Sequence, residues 1–217
     1  MDRGTIRTNA RYKLNETSAK FWTDAELNSY INEGNRYYWS LLILAQDPLT
    51  IKETNLTITS GTESIALPSD FIKIRLIERA FDSYDIPLKY KERYDTANGT
   101  STSSAGNTYL PSYRVMGSNL ILEPTPQSTL TNGLVFTYFY QTADLDDDTD
   151  SPEFNAHHHD ILVDFCCVRA KEKEELIGGG GTGINSFKEE LSRKEQIFKE
   201  MVETVTLQRR FVQPWVV

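Results

Sequence analysis

The apolar residues of this chain change their spacing twice, and that double change limits the fold more than any other feature. From Leu27 they recur every three or four residues, through Ile31, Gly34, Tyr38, Leu41, Leu42 and Ala45. That is the period of a helix with one face turned to a core. From about Thr54 the period is two, with Leu56 and Ile58 alternating with threonines, which is the period of a strand. Helical spacing returns near Glu153. The flanking helices pack together only if the strand-rich middle is an insertion between them. The expected fold class is therefore α+β: a helical core from N- and C-terminal helices with an inserted antiparallel β lobe. The expected boundaries are 1–48 and 143–206 for the helical core, 49–142 for the lobe, and 207–217 for an extended C-terminal arm.

Local signals refine this layout. Ile6, Ala10 and Leu14 are spaced for a short first helix. Thr23-Asp24-Ala25-Glu26 is a capping box, in which the Thr23 hydroxyl accepts from the Glu26 amide while Glu26 reaches back. The helix it starts stops before Pro48. Leu56 and Ile58, a Ser60-Gly61-Thr62 turn and Ser64–Leu67 predict a hairpin. Pro68 interrupts the ladder because proline cannot donate to it. Ile72, Ile74, Leu76 and Ile77 continue as a strand, with Ile86–Tyr90 paired to it across a turn at 82–85. Thr96–Asn107 is rich in Ser, Thr, Gly and Asn and predicts an exposed mobile loop. Ser112–Met116 and Leu120–Glu123 flank a Gly117-Ser118-Asn119 turn. Leu134–Tyr140 carries apolar groups on both faces and predicts a central strand. Two helices follow. Glu153–Ile177 has Phe154, Ile161, Leu162, Phe165, Val168 and Leu176 inside. Ser186–Thr206 has Leu191, Phe198, Met201, Val202 and Val205 inside.

Composition narrows the function classes. A chain of 217 residues supports one sizeable core with a smaller lobe. The formal net charge of -8 opposes ordinary nucleic-acid binding, which needs a basic footprint to displace counterions. An acidic wall would instead let DNA slide past without sticking. Cys166 and Cys167 are adjacent and cannot bridge without strain, so no disulfide framework is expected. Synthesis in a reducing cytosol follows. No run approaches 18 apolar residues, and the N-terminus has no apolar signal region, so no membrane span is expected.

Several constellations look chemical. His157, Asp160 and Asp164 can share a helix face and bind a metal, with His158, His159, Cys166 and Cys167 nearby. Neither Cys-x-x-Cys nor His-x-x-x-His spacing is present, and a polar helix start with two buried small thiols is the preferred reading. Asp144, Asp146, Asp148 and Asp150 alternate as in a calcium loop. Such a loop needs glycine at its sixth place and glutamate at its twelfth, where this chain has Thr149 and Asn155. Acids ahead of a helix also favour its positive end. Gly178–Gly183 lacks the preceding strand and terminal lysine of a phosphate-binding loop, and reads as a helix–helix connection. No Gly-x-Ser-x-Gly elbow occurs. Paired carboxylates for glycoside hydrolysis stay open, because their spacing is spatial and leaves no sequence trace. No catalytic residue, metal or cofactor is assigned.

The final segment differs from the rest. Arg209 and Arg210 lack acidic neighbours, and Phe211, Pro214, Trp215 and Val217 follow. Either the terminus is disordered, as many are, or these anchors insert into a partner's groove. The cost of leaving them in water favours docking.

An ordered set of motifs resembles one family. Trp22-Thr23-Asp24-Ala25-Glu26-Leu27 with Tyr30-Ile31-Asn32-Glu33-Gly34 is similar to the first helix of bacteriophage head-to-tail adaptor, or connector, proteins. Ala66-Leu67-Pro68-Ser69-Asp70-Phe71 resembles their junction after the first hairpin. Pro111-Ser112-Tyr113-Arg114-Val115 and Leu120-Ile121-Leu122-Glu123-Pro124-Thr125-Pro126 follow in the family's order. So do Phe136–Tyr140, the acidic Leu145–Asp148 stretch and Asp160–Asp164. The resemblance spans about Thr5 to Glu203.

The resemblance implies a structural, non-enzymatic virion protein, made in the host cytoplasm and placed in the neck of the particle. It implies a homo-oligomeric ring, usually a dodecamer, docked beneath the portal protein. The ring would extend the channel through which double-stranded DNA passes unbound, and anchor tail nozzle or fibre proteins. It implies that the C-terminal arm, with Arg209, Arg210, Phe211, Pro214, Trp215 and Val217, meets the portal. The alternatives are a tail-associated cell-wall-degrading enzyme and a glycan- or receptor-binding tail module.

Overall fold

The capping box is formed as its sequence dictates. Thr23 N–H donates to Glu26 Oε2 at 2.9 Å and Glu26 N–H donates to Thr23 Oγ1 at 3.2 Å. It opens α2, Asp24–Leu44, which buries Leu27, Ile31, Gly34, Tyr38 and Leu42 from the expected stripe, and also Asn35 and Trp39. The computed structural model describes residues 1–16, 18–80, 85–90, 111–176 and 183–212, with side chains to Glu203. Before α2 runs α1, Arg3–Lys13, capped by Asp2 and burying Ile6 and Ala10. Late in the chain come α3, Asp160–Leu176, and α4, Ile184–Val212.

Helix α3 is the hub of this helical unit, with α1, α2 and α4 all packed on it. Ile161 through Val168 are buried without a break. A helix enclosed on every side needs no polar face, which explains its nearly continuous apolar run. Gly34 is where α2 comes closest to it: a Cβ there would lie 2.9 Å from Phe165 Cδ1 and 3.0 Å from Leu162 Cδ2. The Trp22 indole N–H donates to the Ala170 carbonyl at 3.2 Å, tying the entry of α2 to the far half of α3.

Among the described residues the β lobe contains two four-stranded sheets. The first has the order β1 (Ile51–Ile58), β8 (Leu130–Tyr140), β3 (Phe71–Ala80), β4 (Asp85–Pro87). The second has the order β2 (Ser64–Ala66), β7 (Asn119–Glu123), β6 (Ser112–Met116), β5 (Lys89–Tyr90). Strand β8 is central, as its two apolar faces require, with Leu134, Phe136, Tyr138, Phe139 and Tyr140 all buried. The β6–β7 hairpin turns at Gly117, whose φ of 60° suits glycine. All described pairings are antiparallel except β5–β6. The chain divides into two compact units, Met1–Thr50 with Gln141–Val217, and Ile51–Tyr140.

Several local expectations need correction. β1 and β2 do not form a hairpin: β1 pairs with β8, β2 pairs with β7, and the two belong to different sheets. The turn at Ser60–Thr62 exists, but it carries the chain from one sheet to the other. The segment Ile86–Tyr90 is likewise split, with β4 on β3 and β5 on β6. Helix α3 starts at Asp160 rather than Glu153, because Asn155 caps a short 3-10 turn at Ala156–His158 first. Leu176, expected inside, is 87% exposed at the end of α3. Thr96–Asn107 and 178–182 lie outside the described residues.

Candidate assembly interface

Helix α4 runs antiparallel to α3. Lys188 pairs with Glu172 at 3.4 Å, Lys194 pairs with Asp164 and Asp160 at 2.5 and 2.6 Å, and the Met201 sulfur lies 2.9 Å from His158 Nε2. His158 precedes the first residue of α3, so at Met201 the helix has already passed the start of its packing partner. The backbone stays helical through Val212, adding roughly 16 Å of axial length. Leu207–Val212 therefore continue α4, which corrects the expected extended arm for those residues. The sequence signal for this was present: nothing between Thr206 and Pro214 breaks a helix. Arg209, Arg210 and Phe211 sit on this helical extension, while Pro214, Trp215 and Val217 lie outside the described residues.

A buried carboxylate fixes the base of that extension. Asp164 is fully buried and lies between Lys13 of α1 and Lys194 of α4, each at 2.5 Å. Glu190 approaches both lysines, at 3.1 and 3.8 Å. Burial alone would lower the pKa of Lys194, but the hydrogen bonds it donates to Asp160 and Asp164 outweigh it and raise the value. Three helices are thus pinned at one charge cluster. Sequence reasoning missed the lysines, although Lys194 falls between Leu191 and Phe198 in the apolar stripe of α4. A charge within such a stripe signals a buried partner.

The acidic stretch is a strap over α1 and α2. Asp148 accepts from Arg7 at 2.6 Å and from Arg3 at 2.9 Å, and these bonds hold its carboxyl down at about 2. Asp144 meets Arg36 at 2.5 Å. The Asn32 side chain accepts from the Leu145 amide at 2.9 Å and donates to the Leu145 carbonyl at 3.3 Å. Asp150 accepts from the amides of Asp146 and Asp147 at 2.8 and 2.7 Å. Asp144, Asp148 and Asp150 thus point to separate partners rather than to one ion.

The other suspected groups are equally dispersed. His157 is exposed, whereas His159 is buried and bonded to the Met1 amine at 2.6 Å and the Phe154 carbonyl at 2.8 Å. No cluster of three or more His, Cys, Asp or Glu able to hold a metal occurs among the described residues. Cys166 and Cys167 are buried and donate weakly to the Leu27 and Ala10 carbonyls. Burial pushes both thiols up, Cys167 to about 12. A thiol that stays protonated is a poor nucleophile. The native protein is expected to leave both thiols unmodified by a disulfide reagent, and to react at two thiols only when denatured. Rapid native labelling would contradict the packing.

Glu26 supplies a stability prediction. Its ion pair with Lys173, then its bonds from Thr23, hold its pKa down at about 2, against an ordinary 4.5. A depressed carboxylate stabilises the fold fully above its unfolded value and loses that contribution as pH falls through the folded value. Glu26→Gln is expected to cost about 1 kcal/mol at neutral pH, a figure reduced for the partial exposure of both partners. The gap from the unaltered protein should close between pH 4.5 and about 2 in urea titrations.

Four helices and two sheets among the described residues make this an α+β chain. The family model described as SU10 adaptor protein matches residues 1–212. The chain belongs to the SU10 adaptor protein family, in agreement with its resemblance to bacteriophage head-to-tail adaptors. No curated protein matches it. No helix among the described residues is long and apolar enough to cross a membrane.

Proposed function

We propose that this phage structural adaptor works as one subunit of a ring, twelve copies in all, docked beneath the portal in the neck of the virion. The ring extends the DNA channel, and the β lobe offers a platform for tail nozzle or fibre proteins. The C-terminal segment, with Arg209, Arg210, Phe211, Pro214, Trp215 and Val217, reaches the portal. The observation that carries this reading is α4, whose helical backbone runs to Val212, well past the start of α3. Basic and aromatic anchors on such a projection suit insertion into a partner groove. Heterologous contacts between copies close into a ring when each step is a fixed rotation. The net charge of -8 suits a channel wall that repels phosphate. The protein carries out no catalysis in this reading and is made in the host cytoplasm.

Cryo-EM of virions tests it directly: density for this chain should form a ring in contact with the portal. Density at the tail tip instead would support the receptor-binding alternative. Sustained cell-wall release by the purified protein would overturn the non-enzymatic assignment.

A further inference from the structure

The helical unit has an apolar groove of about 350 Å³ beside α4, lined by Leu42, Leu49, Phe154, Phe198 and Met201. Leu42, Phe154 and Phe198 form a nearly buried floor, Leu49 is 43% exposed, and Asp47 and Glu153 add negative charge to the lining. We propose that this groove seats residues 207–217 of a second copy of the chain. The proposal rests on the reading of those residues as a docking segment and gives them a second seat, available when no portal is bound.

Complementarity supports the choice of occupant. An apolar floor with two acids suits a segment in which Arg209 and Arg210 precede Phe211 and Trp215. Reach keeps the chain's own Phe211 and Trp215 from sharing the groove. Phe198 lies in the groove, and α4 is helical onward to Val212, a separation of about 21 Å along the axis. Phe211 is carried away with the helix. Three further residues span at most about 10 Å, so the Trp215 backbone stays about 11 Å short of Phe198 even if the chain doubles straight back. Only another molecule can bring Phe211 and Trp215 to this floor together.

The test uses a fluorescent peptide of residues 207–217 and the full chain shortened after Thr206. Anisotropy should show saturable binding of the peptide to the shortened chain. Leu49→Glu, at the exposed edge of the groove, should weaken binding on the order of tenfold or more, and so should Trp215→Ala in the peptide. In sedimentation velocity the full chain should self-associate with rising concentration, while the shortened chain stays monomeric. Absence of peptide binding, or binding indifferent to Leu49→Glu, would overturn the proposal. A full chain that stays monomeric yet excludes the peptide would show its own segment in the groove, which overturns it too. Portal capture is measured separately. A shortened chain that still binds portal removes the portal reading while leaving the groove result standing. A peptide that misses the groove, with portal capture lost on shortening, removes only the groove.

Discussion

Replacing Asp164 with alanine is expected to lower the unfolding free energy by about 3 kcal/mol, the low end of what removing one partner from a buried ion pair costs. The low end applies because Lys194 keeps Asp160 as a partner and Lys13 keeps Glu190. The larger part of the loss comes from lysines left facing a space built for a carboxylate that is itself fully buried. Urea unfolding at pH 7 measures it. The decisive comparison is a triple variant, Lys13→Met, Asp164→Leu and Lys194→Met. Swapping a buried carboxylate together with the cations that face it for apolar side chains of similar size is often close to neutral, and the remaining acids, Asp160 and Glu190, are solvent-accessible. The triple variant should therefore recover most of the stability lost by Asp164→Ala. Were it no more stable than the single variant, the cluster would not be acting through charge pairing.

Deleting Leu207–Val217 is expected to leave the unfolding transition of the helical unit unchanged and to weaken portal capture at least about a hundredfold. Aromatic and arginine anchors in interfaces each contribute 2 kcal/mol or more when they act as hot spots, and this segment carries four such residues. The fold should survive because, among the described side chains, those that tie α4 to its neighbours, Leu191, Lys194, Phe198 and Val202, precede the cut. Circular dichroism and urea unfolding check the fold, and pulldown with portal checks the docking. Normal assembly of the shortened protein on portals would remove the proposed role of the segment.

The features that could be read from the sequence were those written within a few residues. The capping box at Thr23 and Glu26 joins neighbours three apart, and the β6–β7 hairpin turns at Gly117. The central place of β8 followed from its two apolar faces. What escaped was set by distant residues. The turn at Ser60–Thr62 suggested that β1 folds back on β2, yet Ile51 faces Phe139 and Ile65 faces Leu120. Register is decided by which faces become buried, and a local turn carries no record of that. The same holds for the cluster at Asp164, whose partner Lys13 lies 151 positions away. The acidic run was legible as a loop before a helix, but its pairing with Arg3, Arg7 and Arg36 was not. Two misses were avoidable: Lys194 interrupts the apolar stripe of α4, and only proline at position 214 offers that helix a stop.

The strands that enter and leave the β lobe are neighbours in one sheet, with Ile51 facing Phe139 at the base. Their backbones therefore stand about 5 Å apart there. A short turn can bridge that gap, so Ile51–Tyr140 forms a removable cassette on a scaffold whose own ends need not shift. Another insert whose first and last strands pair in the same way could be grafted between Thr50 and Gln141 without moving those two residues.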